Sequence, residues 1–162
     1  MNQHHEYYLS LGSNIAPEKN LVKALDLLKA EVSVLAVSSA WETLPVGTRG
    51  PNFINLTLQI KSPYDVTHLK GQIITSIERR LHRRRTGDKN APRTIDIDIL
   101  LCDGIVLDDH IWSQAYLALP LAELLPDLRH LKSGLPLSDF ATQLSAIQSA
   151  IHRPDVQSRF AY

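Results

Sequence analysis

The chain has one cysteine, Cys102, among 162 residues. A lone cysteine closes no internal disulfide, which suits a reducing compartment and leaves the fold to its core. No apolar run approaches the ~20 residues needed to cross a bilayer. The opening MNQHHEYY lacks the cationic and apolar blocks of a signal peptide. A cytoplasmic, soluble protein with no membrane partner is the expectation. Formal net charge is zero, so bulk electrostatics gives no reason to invoke nucleic acid either. No glycine-rich P-loop with its lysine occurs, so a nucleotide site of that type is excluded. Repeats, low-complexity tracts and linker-like stretches are also missing. Residues 1–162 therefore read as a single domain long enough to bury a substantial core.

What is there is ordinary in bulk, 44% apolar and 21% charged, and informative in pattern. YYLSLGSN reads as a short strand entering a Gly-Ser-Asn turn. From Pro17, residues Leu21, Ala24, Leu25 and Leu28 mark one helix face. VSVLAVSSAWET is β-rich and runs into the glycine- and proline-punctuated loop LPVGTRGP. FINLTLQI alternates, with Ile54, Leu56, Leu58 and Ile60 on one face and Phe53, Asn55, Thr57 and Gln59 on the other. Ser62 as N-cap, Pro63 and Asp65 open a helix carrying Val66, Leu69, Ile73, Ile77 and Leu81. That helix ends in the arginine run at Arg83, Arg84 and Arg85. RTIDIDILLCDG alternates again, with Ile95, Ile97, Ile99 and Leu101 together. Asp103-Gly104 signals a type I′ hairpin into IVLDD. PLAELLPDL suggests a short helix bounded by prolines. Ser138 is placed to cap a last helix whose Phe140, Leu144, Ile147 and Ile151 face inward. Irregularly interleaved elements with a hairpin predict an α+β fold with a mixed or antiparallel sheet.

Two aspartates in a strand ask for a reason. Asp96 and Asp98, at i and i+2, share a face roughly 6.5–7 Å apart. Aspartate is depleted in strands, and a like-charged pair repels unless a cation compensates. The pair therefore reads as a divalent metal site or as a solvated strand face. Mg²⁺ commonly takes one or two carboxylates together with substrate phosphates. Arg83, Arg84 and Arg85, the loop TGDKNAP and Arg93 bring phosphate-type recognition close by. The same run also reads as a solvated helix end. A basic segment beside five aspartates between Asp96 and Asp109 suits a polyanion arriving with metal.

These segments resemble the 6-hydroxymethyl-7,8-dihydropterin pyrophosphokinase family of folate biosynthesis. LSLGSN, SSAWETLPVG, PNFIN, APRTIDIDILLCDG and LPLAELLPDL occur in the family's order over roughly residues 7–128. The resemblance implies a ferredoxin-like α+β sandwich with helices on both sides of its sheet. It implies a monomer that moves pyrophosphate from ATP to the pterin and releases AMP. Asp96 and Asp98 would hold two Mg²⁺ ions, with Arg83, Arg85 and Arg93 as phosphate-contacting catalytic residues. Glu78 would join these five residues in binding ATP. Thr43, Leu44, Val46, Phe53, Asn55 and Tyr116 would bind the pterin.

The sequence also departs from the family. Asn90 and Ala91 replace a tryptophan and a glycine in the loop before Arg93. His82 replaces a glycine before Arg83. The segment IVLDDHIWSQAYLALPL is short, with Gln114 where an arginine is expected and His110 or Trp112 as substitutes. These changes keep open a divergent, non-catalytic or altered-substrate paralogue that binds a pterin or nucleotide. A nucleic-acid-binding domain is the remaining reading, and the chain lacks the aromatic strand motif of single-stranded RNA readers.

Overall fold

The alternating segments become the centre of one sheet. The computed structural model describes residues 3–47 and 49–160. In it β1 (His5–Ser13) pairs antiparallel with β4 (Phe53–Ser62), Leu9 opposite Leu58 and Leu11 opposite Leu56. β5 (Asp96–Cys102) lies along the other edge of β1. β2 (Ser33–Val37) and β3 (Trp41–Thr43) both pair with β4, β6 (Ile105–Val106) closes a hairpin on β5, and β7 (Ala150–His152) pairs with β3. The strand order is β6-β5-β1-β4-β3-β7, with β2 beside β4, and every pairing is antiparallel. The β-α-β-β-α-β path through β5 has the ferredoxin-like order. Among the described residues the sheet is wholly antiparallel.

Helices cover both faces. On one, α1 (Pro17–Glu31) brings Leu21, Ala24, Leu25 and Leu28 against Leu9, Leu11, Leu56 and Leu58. On the other, α4 (Ala115–Leu124) and α5 (Leu137–Ile147) bring Leu117, Ala118, Leu121, Leu137 and Leu144 against Tyr8 and Leu100. α4 packs on β4, so Asn55 and Thr57 on the polar side of that strand are buried as well.

The helix that follows β4 begins later than its sequence suggests. β4 continues through Ser62, whose hydroxyl accepts from Tyr64 N–H, and Asp65 caps the helix by accepting from His68 N–H at 2.8 Å. α2 (Val66–His68) then widens into a π-helical stretch (Leu69–Ile74) before α3 (Thr75–Arg80). The apolar spacing explains the widening. Leu69, Ile73, Ile77 and Leu81 stand four apart, and each such step overshoots an α-helical turn by about 40°. A wider turn takes back that drift, and all four are buried in the same cluster.

Four other expectations are corrected. β1 runs through Gly12 and Ser13, and no turn forms there. On β5 a bulge between Leu9 and Tyr8 of the partner strand leaves Leu100 as the extra residue. Beyond the bulge the alternation inverts: Leu101 joins the α4–α5 side and Cys102 the side of α1, away from the aspartate face. α4 starts at Ala115 and holds Pro120 inside it, since the buried run Ala115, Leu117, Ala118, Leu121 outweighs one missing N–H. α5 follows Pro136 and ends at Ile147. Ile147 is exposed, and Ile151 lies exposed in β7. The hairpin is as expected, with Asp103 and Gly104 both left-handed at φ 49° and 81°.

Leu100→Ala should lower unfolding free energy by about 2–5 kcal/mol in urea titration. A loss below about 1 kcal/mol would contradict the inverted packing beyond the bulge.

Candidate active site

The arginine run does not extend the helix. α3 stops at Arg80, and His82 turns left-handed at φ 58°. His82 N–H donates to Arg79 C=O and Arg83 N–H to Glu78 C=O, both at 3.0 Å, the paired bonds of a Schellman motif. His82 thus holds a left-handed backbone, the conformation that glycine adopts at least cost. The turn folds Arg83 back over the helix end, where its guanidinium donates to Glu78 Oε2 and, at 2.9 Å, to Asp96 Oδ1. Glu78 is buried, and the Arg83 side chain is only 9% exposed. Arg93 Nη1 donates to Asp96 Oδ2 at 2.5 Å, and its Nη2 donates to Lys89 C=O. Charges therefore alternate through Glu78, Arg83, Asp96 and Arg93. Arg85 reaches within 3.7 Å of Glu78, but its side chain is 74% exposed.

Asp98 projects beside Asp96, as the strand period requires. Among the described residues no cation lies within ion-pair distance of it. Packing around its carboxyl, then the like charges of Asp96 and Asp108, push it up to about 6 against the pull of Arg83 and Arg93. Solvent still reaches the side chain. An unneutralised carboxylate beside one already held in place fits a divalent, oxygen-seeking ion that completes its shell with phosphate and water.

Two crevices of about 480 Å³ each meet at this pair, both lined by Lys89, Ala91, Arg93, Asp96 and Asp98. The first is strongly polar, with Lys70, Arg83, Arg84, Arg85, Lys89 and Arg93 against Glu78, Asp88, Asp96 and Asp98. The second has more apolar walls, from Leu44, Pro45, Val46, Phe53 and Tyr116. Leu44 and Val46 are exposed there. Thr43 and Asn55 form its buried floor, Asn55 Nδ2 donating to Thr43 Oγ1 at 2.8 Å. A Cβ on Gly12 would approach Asn55 Oδ1 to 2.8 Å, so a bare backbone here is what lets that amide lie flat. Burial, then Asp98, Asp108 and Asp96, push the Tyr116 phenol up to about 12, which keeps it a hydrogen-bond donor at neutral pH.

Asn14 fastens the loops around both crevices. Asn14 and Ile15 N–H donate to Arg93 C=O at 3.1 and 3.2 Å, Arg93 N–H donates to Asn14 Oδ1 at 2.7 Å, and Asn14 Nδ2 donates to Pro51 C=O at 3.1 Å.

All the residues that the resemblance assigned to ATP, metal or pterin line one crevice or the other. Of the two substitutes for the missing arginine, His110 lines the apolar-walled crevice, with Asp108 Oδ1 2.8 Å from its Nδ1. Trp112 instead packs edge-on against His130 and Phe140. Gln114 precedes α4 and makes no side-chain cap. Asn90 lines the second crevice, close to Gly47. Asn14, Lys70 and Lys89 went unpredicted. Lys70 and Ile74 precede Glu78 by eight and four residues, a face that helical periodicity could have assembled. Asn14 and Lys89 carry no such signal.

Comparison with known proteins agrees with this geometry. The family described as 7,8-dihydro-6-hydroxymethylpterin-pyrophosphokinase matches residues 8–126. The chain is similar to the 2-amino-4-hydroxy-6-hydroxymethyldihydropteridine pyrophosphokinase of Bacillus subtilis, 36% identical over 132 residues, 72% of this chain and 76% of that one. With the Porphyromonas gingivalis protein of the same name it shares 32% over 136 residues, 74% of this chain and 90% of the relative. Among solved structures it resembles Plasmodium falciparum HPPK-DHPS with a TM-score of 0.70 at 12% identity, covering 89% of this chain. That match shows the fold alone, and the chain spans 45% of the Plasmodium protein's length.

Two outcomes are expected. Glu78→Ala, which leaves buried Arg83 with Asp96 as its remaining partner, should cost about 3 kcal/mol in denaturant unfolding. For Asp98 the folded-state value of about 6 lies above the ~3.9 of an unfolded chain. Ionisation thus opposes folding, and stability declines as pH rises from about 4 through 6. Asp98→Asn should raise the metal-free Tm at pH 7.5 by no more than about 2–4 °C, given solvent screening, and leave it unchanged at pH 3.5. Calorimetry at the two pH values distinguishes this from a lowered or pH-independent Tm.

Proposed function

The chain belongs to the 7,8-dihydro-6-hydroxymethylpterin-pyrophosphokinase family, and on that premise we propose that its two crevices are the two halves of one active site. The chain is a pyrophosphokinase of folate biosynthesis. In the reading proposed here ATP lies in the cationic crevice and 6-hydroxymethyl-7,8-dihydropterin in the apolar-walled one. The observation that carries the reading is that Arg93, Asp96 and Asp98 line both. A group passing from one crevice to the other must pass them.

The roles follow from the surroundings. Asp96 and Asp98 would hold two Mg²⁺ ions. When bound, Mg²⁺ supplies positive charge against the phosphate oxygens and the developing charge on the leaving group. Arg83 and Arg93, fixed by Glu78, Asp96 and Lys89, present cationic edges without needing to reorganise. Arg85, largely exposed, would meet the outer phosphates. Phe53 offers a face for the pterin ring to stack on. Asn55, its Nδ2 committed to Thr43, keeps Oδ1 as an acceptor for ring N–H groups. Tyr116 O–H donates toward the same space. The hydroxymethyl oxygen then forms a bond to the β-phosphorus and gives up its proton to water, while the bond from the β-phosphorus to the oxygen bridging to the α-phosphorus breaks and AMP leaves in line. The protein's part is positioning and charge stabilisation, as a monomer acting on free small molecules. The free thiol of Cys102 is compatible with a cytoplasmic setting.

The test is AMP formation from ATP and Mg²⁺, with and without 6-hydroxymethyl-7,8-dihydropterin, in the native protein and Asp98→Asn. Pterin-dependent AMP release that the substitution abolishes is expected. No AMP from folded native protein, with pterin or ATP still bound, would instead identify a binding paralogue.

A further inference from the structure

At the far end of β1 and β5 from the aspartate pair, three side chains of different donor chemistry converge. His5 opens β1, Cys102 closes β5, and Asp103 begins the hairpin turn. A ring nitrogen, a sulfur and a carboxylate oxygen from these residues all lie within 4.8 Å of one another. His5 Nδ1 is 2.7 Å from Asp103 Oδ2, and Cys102 Sγ is 3.8 Å from the same oxygen.

The backbone builds this convergence. Tyr7 pairs with Cys102, which sets the end of β5 beside the start of β1. Asp103 N–H donates to Glu6 C=O, and Glu6 N–H donates to Asp103 Oδ1, each at 2.8 Å. One carboxylate oxygen is thus held by the strand, and the other faces the imidazole and the thiol. The bulge at Leu100 is what sends Cys102 to this side.

We propose that His5, Cys102 and Asp103 form a second metal site, for a borderline divalent transition ion of the zinc type. A surface ion pair would need only His5 and Asp103, and the thiol supplies a third donor. Tetrahedral ligands about 2.3 Å (sulfur) and 2.0–2.2 Å (oxygen) from zinc stand roughly 3.5 Å apart. The sulfur–oxygen separation is already close to that, and the nitrogen–oxygen contact must open by less than about 1 Å. One nitrogen, one sulfur and one oxygen donor select against Mg²⁺, which seeks oxygen. Asp103 is exposed, which leaves the fourth position to water. Gly12, opposite Asp96, lies five residue steps along β1 from Tyr7, opposite Cys102. That is about 17 Å, so the site is separate from the aspartate pair. Its ion would pin the first residue of β1 to the β5–β6 hairpin, and binding only the folded chain would stabilise it.

The test uses the reduced, full-length protein in Mg²⁺ buffer, titrated with Co²⁺ as a spectroscopic probe and then with Zn²⁺. A thiolate-to-cobalt charge-transfer band saturating at one equivalent, displaced by Zn²⁺, is expected, with Zn²⁺ raising Tm. Cys102→Ser should abolish the band, and His5→Gln and Asp103→Asn should each weaken Co²⁺ binding at least ~10-fold. Asp98→Asn should leave the band intact. The proposal is overturned if saturating Co²⁺ gives no band while the thiol still reacts with a thiol reagent. It is equally overturned if His5→Gln and Asp103→Asn titrate like the native protein, since the thiol alone would then be binding.

Discussion

The buried carboxylate of Glu78 is the constraint around which this molecule is arranged. A charge placed under a helix end is tolerable only with a partner that stays. Arg83 is that partner, and the left-handed turn at His82 exists to return it. Arg83 in turn holds Asp96 from one side while Arg93 holds it from the other. Helix, strand and loop are thereby tied by alternating charges, and the consequence falls on the next carboxylate along β5. Asp96 is compensated twice and Asp98 is left with like charges around it. Two chemically identical neighbours are given different electrostatic lives by what surrounds them.

That asymmetry organises the two crevices. The cationic one is built from the end of α3 and the loop after it, and the apolar-walled one from loop residues 44–46 with Phe53 and Tyr116. A polyanion and a flat heterocycle are drawn to different chemistries, yet both must reach the same aspartates. The sheet solves this by placing Asp96 and Asp98 on the face that α4 leaves uncovered, beyond the buried floor of Asn55 and Thr43.

Much of this was legible in the sequence because it follows from strict periods. Alternation along FINLTLQI and RTIDIDI placed Phe53 with Asn55 and Asp96 with Asp98. Asp103-Gly104 announced its own turn, and the order of segments gave the fold. What could not be read depends on breaks in those periods. The extra residue at Leu100 inverts everything after it, so Leu101 and Cys102 exchange faces. Arg83 looks like a helical residue until the left-handed histidine before it is seen. Pro120 looks like a boundary, but burial of its neighbours carries the helix through it. Asn14 acts through backbone groups of Arg93 and Pro51, and no side-chain pattern advertises bonds of that kind.

The π-helical stretch at Leu69–Ile74 has a reach longer than its six residues. It behaves as an angular setting for everything downstream. Wound as uniform α-helix, the same six residues would rotate the following turns by roughly 100°. Glu78 would then swing out from beneath Arg83, and an apolar neighbour would take its place. The aim of the charge chain at the active centre is thus fixed by a helix irregularity beginning nine residues earlier.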